Sequence, residues 1–216
     1  MPLTHLPPDP TPTQRSDRQP EDYQPMQQLT REIAFENGWT AERRQRIRQL
    51  FGGLAPEWST IGAGRQQPLR DALRRGDVPA AGVCVEVGSG TGMQTEPLTE
   101  KFEHVVSLDL APEMLGLTVR LGSVSLGRAD ASLLPIRSAS ADAVVAVNMF
   151  LFPEEYWRIL KPGGRLVFVS TSGDRTPIYL APGDVIDALS RVVAEPAGLT
   201  SGFGYSTWTV LTKGPS

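Results

Sequence analysis

The chain has 216 residues, a formal net charge of −3 and 40% hydrophobic residues, which is typical of one soluble domain. The slightly acidic balance argues against a nucleic-acid binder, because contact with phosphate backbones needs a basic excess. One cysteine and two histidines argue against a disulfide framework, a metal site and most enzymes that use a catalytic histidine.

The sequence gives no sign of export or of a membrane anchor. The amino terminus lacks the basic start and apolar run of a secretory signal. The most apolar stretch, residues 143–152, is ten residues long, whereas a membrane-spanning helix needs about 20. We therefore predict a cytoplasmic protein without membrane contact.

The first part of the chain divides into an arm and a helical segment. Residues 1–25 hold seven of the 19 prolines and no glycine, which predicts a disordered Pro-rich arm. In residues 26–76, apolar side chains recur at helical spacing at Ile47, Leu50 and Leu54, and a helix is predicted over 67–75. We expect residues 26–76 to form a lid or cap and residues 77–216 to form the core domain.

From residue 81 onwards, short apolar strands alternate with helical segments. The predicted strands are 82–87, 105–108, 123–128, 143–147 and 165–170, and the predicted helices are 93–101, 112–120, 153–160 and 183–193. This alternation indicates an α/β fold, a doubly wound, mostly parallel sheet with helices on both faces. The closing runs 202–205 and 207–211 predict an antiparallel edge hairpin.

A glycine-rich turn follows the first of these strands. The segment Gly88-Ser89-Gly90-Thr91-Gly92 joins a buried strand to a helix, and glycines there let a ligand approach the main chain closely. Met93 stands where a dinucleotide-binding loop needs its third glycine or alanine, and the lysine of a phosphate-binding loop is absent. The loop therefore predicts a nucleotide-type ligand other than a dinucleotide.

An acidic residue closes the next strand. Asp109 stands about 20 residues after the glycine turn, where a carboxylate can accept hydrogen bonds from both ribose hydroxyls of an adenosine. The alternative is a carboxylate that stabilises the helix opened by Pro112. The glycine turn upstream favours the ribose role.

Over residues 50–212 the order of motifs resembles the class I S-adenosylmethionine-dependent methyltransferases. Glu86 and the glycine turn resemble that family's first motif, and Asp109 matches its acidic residue after the second strand. Asp130, in Gly127-Arg128-Ala129-Asp130-Ala131, resembles the residue that accepts a hydrogen bond from the adenine amine. Asp142 and the Lys161-Pro162-Gly163-Gly164 turn match the start of the fourth strand and the entry to the fifth.

The resemblance implies a seven-stranded sheet with an antiparallel last strand, and S-adenosylmethionine as the cofactor. The glycines would pass close to its methionine part, and Leu110 would lie against its adenine. The cofactor-binding residues implied are Glu86, Gly88, Ser89, Gly90, Thr91, Gly92, Asp109, Leu110, Met114, Asp130, Ala131 and Asn148. The likeness extends loosely to the quinone-biosynthesis branch, through the segment ending at Trp58. Trp58 would cover the cofactor by a cation–π contact or simply pin its helix to the core, and both interpretations stay open.

Candidate catalytic residues are sought after the fourth and fifth predicted strands, where ligands collect in open α/β sheets. They are Asn148, Asp174 and Tyr179. The apolar run 149–152 suggests a small apolar or aromatic methyl acceptor, or alternatively burial against the next helix.

We therefore predict a small-molecule methyltransferase, monomeric or homodimeric. The alternatives are an accessory protein that binds the cofactor without methyl transfer and, more remotely, an NAD-dependent oxidoreductase.

Overall fold

The computed structural model describes residues 3–11, 20–62, 65–118 and 121–215. Its strands are β1 (Thr4–His5), β2 (Val83–Val87), β3 (His104–Asp109), β4 (Val124–Arg128), β5 (Ala141–Val147), β6 (Leu160–Ser170), β7 (Ala197–Ser201) and β8 (Thr207–Thr212). Its α-helices are α1 (Gln24–Glu36), α2 (Ala41–Gly62), α3 (Gln67–Arg75), α4 (Thr95–Thr99), α5 (Pro112–Leu115), α6 (Pro153–Ile159) and α7 (Pro182–Leu189).

The strands within the described residues form one sheet in the order β1-β7-β8-β6-β5-β2-β3-β4. The five strands β6, β5, β2, β3 and β4 run parallel, and β8 is antiparallel to both β6 and β7. The predicted doubly wound, mostly parallel sheet is therefore confirmed, with one short edge strand more than the seven expected. Strand order reverses between β2 and β5, the position at which open α/β sheets bind ligands.

Both faces of the sheet are covered because apolar side chains alternate along the central strands. Along β2, Val85 and Val87 face the side where α6 and α7 pack, whereas Cys84 faces the side where α3 and α4 pack. The first face also receives α1 through Ile33 and Ala34. Cys84 is fully buried, in agreement with a packing role.

Two stretches of the predicted disordered arm are ordered, which corrects that expectation. Residues Thr4–His5 form β1, which pairs in parallel with β7, and residues 20–25 enter a 3₁₀ turn and then α1. Pairing with a sheet edge uses backbone N–H and C=O groups, such as Leu6 N–H donating to Thr200 O at 2.9 Å, so composition did not reveal it. Residues 12–19 of the arm lie outside the described residues.

The edge hairpin is also shifted from its expected place. Its first strand is Ala197–Ser201, and the predicted run 202–205 forms the turn instead. Gly204 has φ of +57°, and Ser206 closes the turn through its hydroxyl, which donates to Phe203 O at 2.8 Å. A left-handed glycine and a short side-chain bond are the features of a turn, and they outweigh the aromatic residues around them.

Candidate active site

The carboxyl ends of the parallel strands border one cavity of about 510 Å³, within the range of about 300–1,000 Å³ that is usual for small-molecule sites. Its floor is the turn after β2 together with Asp109 at the end of β3. Its roof comes from α2, which contributes Ile47, Phe51 and Trp58. Part of the segment 26–76 therefore lines the cavity, and its role as a lid stays a prediction.

The glycine turn supplies a wall made of main chain. Gly88, Gly90 and Gly92 have φ of +71°, +57° and +81°, a region that side-chain-bearing residues rarely adopt. A Cβ on Gly88 would lie 2.5 Å from Met149 Sδ, and one on Gly90 would lie 3.1 Å from Trp58 Nε1. Glycine is thus required both by conformation and by the neighbours above the turn.

Asp109 is held in a fixed orientation at this wall. Its Oδ2 accepts from the Gly90 N–H and its Oδ1 from the Ala111 N–H, both at 2.8 Å. Burial raises the pKa of Asp109, and these backbone donors partly oppose the rise. Because each carboxylate oxygen can accept two hydrogen bonds, each keeps a position for one more donor. The arrangement suits a ligand with two adjacent hydroxyls, and it also carries the alternative role beside α5, since Ala111 precedes that helix.

Glu86 lies beneath the turn rather than in the cavity wall. Its Oε2 accepts from Thr95 Oγ1 at 2.7 Å and from Ser107 Oγ at 2.5 Å, which ties the glycine turn to β3. Burial raises the pKa of Glu86 from its ordinary 4.5 to about 7, and these hydroxyl donors only partly offset the rise. Its predicted cofactor role would therefore be indirect, through the shape of the turn.

The other predicted cofactor residues fall into two groups. Those that line the cavity are Gly88, Ser89, Gly90, Asp109, Leu110, Met114, Ala131 and Asn148. Thr91, Gly92 and Asp130 do not contribute to its wall, although Ala129 and Ala131 on either side of Asp130 do. The Ser89 hydroxyl is buried at this wall and has no hydrogen-bond partner among the described residues, so it offers a polar contact to a ligand.

The three candidate catalytic residues are not brought together. Asn148 lines the cavity, but its side-chain amide already donates to Thr171 Oγ1 and accepts from the Thr171 N–H, both at 2.9 Å. Asp174 is exposed and Tyr179 is half-buried, and neither contributes to the cavity wall. Asn148 thus joins the ends of β5 and β6, while the catalytic roles of Asp174 and Tyr179 stay predictions without a contact to the site.

The apolar run after β5 is divided between the core and the cavity wall. Leu151 and Phe152 are buried in the core, whereas Met149 and Phe150 line the cavity. Trp58 likewise lines the cavity and packs edge-on against Phe51, with ring centroids 5.5 Å apart. The packing interpretation of Trp58 is therefore observed, and its contact with a cofactor stays a prediction.

Sequence reasoning missed Trp39. This residue, in the turn between α1 and α2, lines the cavity, and its indole N–H donates to Asp130 Oδ1 at 3.0 Å. A single tryptophan outside any periodic pattern carries no local signal, and its partner stands 91 positions further along the chain.

The geometry fits S-adenosylmethionine. The main-chain wall at the glycine turn, the paired acceptor positions of Asp109 and the unpartnered Ser89 hydroxyl suit a methionine–ribose ligand, and the apolar wall near Leu110 suits an adenine ring. This fold and site are those expected of a Rossmann-like methyltransferase.

Comparison with known proteins agrees. A family model described as a methyltransferase domain matches residues 85–168. The chain is 26% identical over 162 residues to the ubiquinone/menaquinone biosynthesis C-methyltransferase UbiE of a Geobacter species, covering 64% of this chain and 68% of that protein. It is 32% identical over 130 residues to the demethylmenaquinone methyltransferase of Clavibacter sepedonicus, covering 55% of this chain and 53% of the relative.

Solved structures share the fold. A Methanococcus maripaludis protein described as an S-adenosyl-L-methionine-dependent methyltransferase superposes with a TM-score of 0.60 at 17% identity, covering 78% of this chain and 94% of that chain. The [4+2]-cyclase SpnF superposes with a TM-score of 0.59 at 15% identity, covering 71% and 74%. The matched domain model, the relatives and the shared fold together support a class I S-adenosylmethionine-dependent methyltransferase. No helix among the described residues has the length and apolar character to cross a bilayer.

Proposed function

We propose that this methyltransferase acts on a small apolar or aromatic acceptor of the quinol type, transferring the methyl group in line from S-adenosylmethionine. The observation that supports this acceptor is the composition of the cavity wall beyond Asp109 and the glycine turn. There the wall is built from aromatic and aliphatic side chains, among them Phe51, Leu54, Met149 and Ile178. The names of the UbiE and demethylmenaquinone methyltransferase relatives support a quinol ring as the acceptor.

Each part of the site has a separate task in this proposal. When bound, the cofactor supplies an electrophilic methyl group. Asp109 accepts from the ribose hydroxyls, and the glycine turn lets the methionine part lie against the main chain. Leu110 and Ala131 cover the adenine, whose amine Asp130 recognises. Phe51, Trp58 and Met149 exclude water and hold the acceptor ring, and this positioning is where a methyltransferase gains most of its rate.

Proton removal from the acceptor does not have a strong candidate among the described wall residues. The titratable side chains there are Tyr23, Arg48, Arg65, Asp109 and Arg175. Asp109 is assigned to the ribose and is not free to act as a base. The acceptor would therefore have to be ionised when it binds, as a quinol can be, so that it is nucleophilic without help from the protein. Cytoplasmic location and a monomeric or homodimeric state remain predictions from the sequence.

The test is a transfer assay with deuteromethyl-labelled cofactor and a short-chain demethylmenaquinol. Formation of the labelled C-methylated product together with S-adenosylhomocysteine supports the proposal. Cofactor binding without turnover on this quinol, on phenols or on amines would instead indicate an accessory role. Turnover on amines alone would retain the methyltransferase and reject the quinol.

A further inference from the structure

Both carboxylate oxygens of Asp130 already accept hydrogen bonds, and Oδ1 is fully occupied. Its Oδ1 accepts from Trp39 Nε1 at 3.0 Å, from the Ser132 N–H at 2.9 Å and from Ser132 Oγ at 2.8 Å, while its Oδ2 accepts from Arg44 Nη1 at 3.1 Å. Each carboxylate oxygen accepts about two hydrogen bonds, so Oδ1, with three donors, has no position left, whereas Oδ2 keeps one beside Arg44. Burial alone would raise the pKa of Asp130, but the donors from Ser132, Arg44 and Trp39 together lower it, so the group stays ionised.

The four donors differ in where they come from. Ser132 is two residues from Asp130 and belongs to the same turn, so its contacts move with the carboxylate. Trp39 and Arg44 stand 91 and 86 positions earlier in the chain, in the turn before α2 and in α2 itself. The contacts that can be exchanged for another donor are therefore those that hold the lid helices to the core.

Of these two, Trp39 is the one at the cavity. Trp39 contributes to the cavity wall, whereas Asp130 and Arg44 do not. The indole is held in place by the rings of Phe150 and Phe152, with centroids 5.6 and 5.5 Å away. At this end of the cavity a ligand meets the indole of Trp39 in place of the carboxylate.

We propose that Trp39 holds the acceptor position on Asp130 that the adenine amine takes, so that cofactor entry exchanges one N–H donor for the other and releases the α1–α2 turn. Trp39 is then a residue that sets cofactor affinity from the lid, acting through Asp130. This inference rests on the proposed role of Asp130 toward adenine. Because the two donors compete for one position on Asp130, removing the Trp39 N–H while keeping the carboxylate should strengthen cofactor binding.

The first test is a pair of binding titrations, with S-adenosylhomocysteine and with its inosine analogue, which has a carbonyl oxygen in place of the amine. In wild type the hydrogen bond that the amine forms is partly offset by the lost Trp39 bond, so the preference for the amine should be no more than about tenfold. Trp39→Phe keeps an aromatic ring between Phe150 and Phe152 but removes the N–H. We expect it to bind S-adenosylhomocysteine about three- to tenfold more tightly and the inosine analogue unchanged.

Two variants act as controls. Trp157→Phe makes the same truncation at a buried indole outside the cavity wall and should leave both affinities unchanged. Asp130→Asn should abolish the preference for the amine. Unchanged or weaker binding of S-adenosylhomocysteine by Trp39→Phe would overturn the inference, since a purely structural or positioning role of the indole predicts no gain in affinity.

A second test needs no variant. Hydrogen exchange of the wild-type backbone amides from Gly38 to Arg44 should become faster when S-adenosylhomocysteine is added, and slower or unchanged exchange would reject the release of this turn. The two levels of failure are distinguishable. No binding of S-adenosylhomocysteine by wild type would refute the proposed function, whereas binding without these responses would refute only the exchange at Asp130.

Discussion

Among the carboxylates at the strand ends, Asp109 is the one whose proposed role in cofactor binding can be tested most directly. Asp109→Ala should weaken S-adenosylhomocysteine binding by roughly 1.5–3 kcal/mol, because it removes hydrogen bonds to a charged group. Calorimetric titration measures the change. Asp187→Ala is the matched control, since Asp187 is exposed on α7 and outside the cavity wall. If the Asp109 variant and wild type bound S-adenosylhomocysteine with equal affinity, the proposed role of Asp109 at the ribose would be rejected.

Glu86 should make the folding stability depend on pH. Its pKa is about 7 in the folded protein against an ordinary 4.5, so the folded state binds more protons between these values. The free energy of unfolding should therefore fall as pH rises from about 4.5 to 7, by about 3 kcal/mol from this group.

Urea unfolding at a series of pH values tests this expectation with Glu86→Gln, a neutral side chain of the same shape. The variant should lose that part of the pH dependence and exceed wild type in stability at pH 8. Glu57→Gln, at an exposed position of α2, should follow the wild-type curve. If the stability of Glu86→Gln changed with pH in parallel with that of wild type, the Glu86 carboxyl would ionise in the folded protein without a loss of stability.

At the scale of elements, two substitutions distinguish the backbone strain at the glycine turn from the contact of that turn with the ligand. Gly88→Ala forces a side chain into a left-handed backbone and toward Met149, and should cost about 1–2 kcal/mol of stability and abolish cofactor binding. Gly163→Ala introduces a Cβ at a similar φ of +78° with nothing within 4 Å. It should show a similar loss in thermal denaturation but keep the wild-type affinity for S-adenosylhomocysteine.

The β1 strand gives a second prediction at this scale. Leu6→Pro removes the N–H that donates to Thr200 O and should lower stability by about 1 kcal/mol in chemical denaturation, the net value of one such bond. His5→Pro is the control, because the N–H groups of a strand alternate in direction and an edge strand tolerates proline on its outer side. Equal stabilities of both variants would mean that β1 adds little to the fold. The pairing of β1 departs from the disordered arm that composition predicts for residues 1–25.

The elements that sequence predicted well are those buried in the sheet. The bounds of Val83–Val87 and Ala141–Val147 lie within two residues of the predicted ones. A short, continuous apolar run is typical of a parallel strand that is buried on both faces, so its position in the sequence is easily recognised. β1 and the Trp39 contact escaped prediction because a backbone pairing and a single long-range hydrogen bond leave no periodic pattern. The carboxylates at the strand ends were found because their chemistry is tied to a position in the fold.

For the whole molecule, cofactor binding should appear as a gain in stability. A ligand that binds only the folded state stabilises it by about 2.7 kcal/mol at a concentration 100 times its dissociation constant. S-adenosylmethionine and S-adenosylhomocysteine should therefore raise the melting temperature, and NAD⁺ at the same concentration should leave it unchanged, since Met93 breaks the dinucleotide pattern. A shift with NAD⁺ alone would overturn the cofactor assignment.

The position of β1 also has a consequence for the order of assembly during synthesis. Its pairing partner, β7, begins at Ala197, so β1 has no edge to join until the chain has been synthesised beyond that residue. Closing such a long loop comes late in folding, because its entropic cost is repaid only once the rest of the sheet stands. The amino-terminal strand is then the final one to be added to the sheet, and a nascent chain stalled before residue 197 would carry it unpaired.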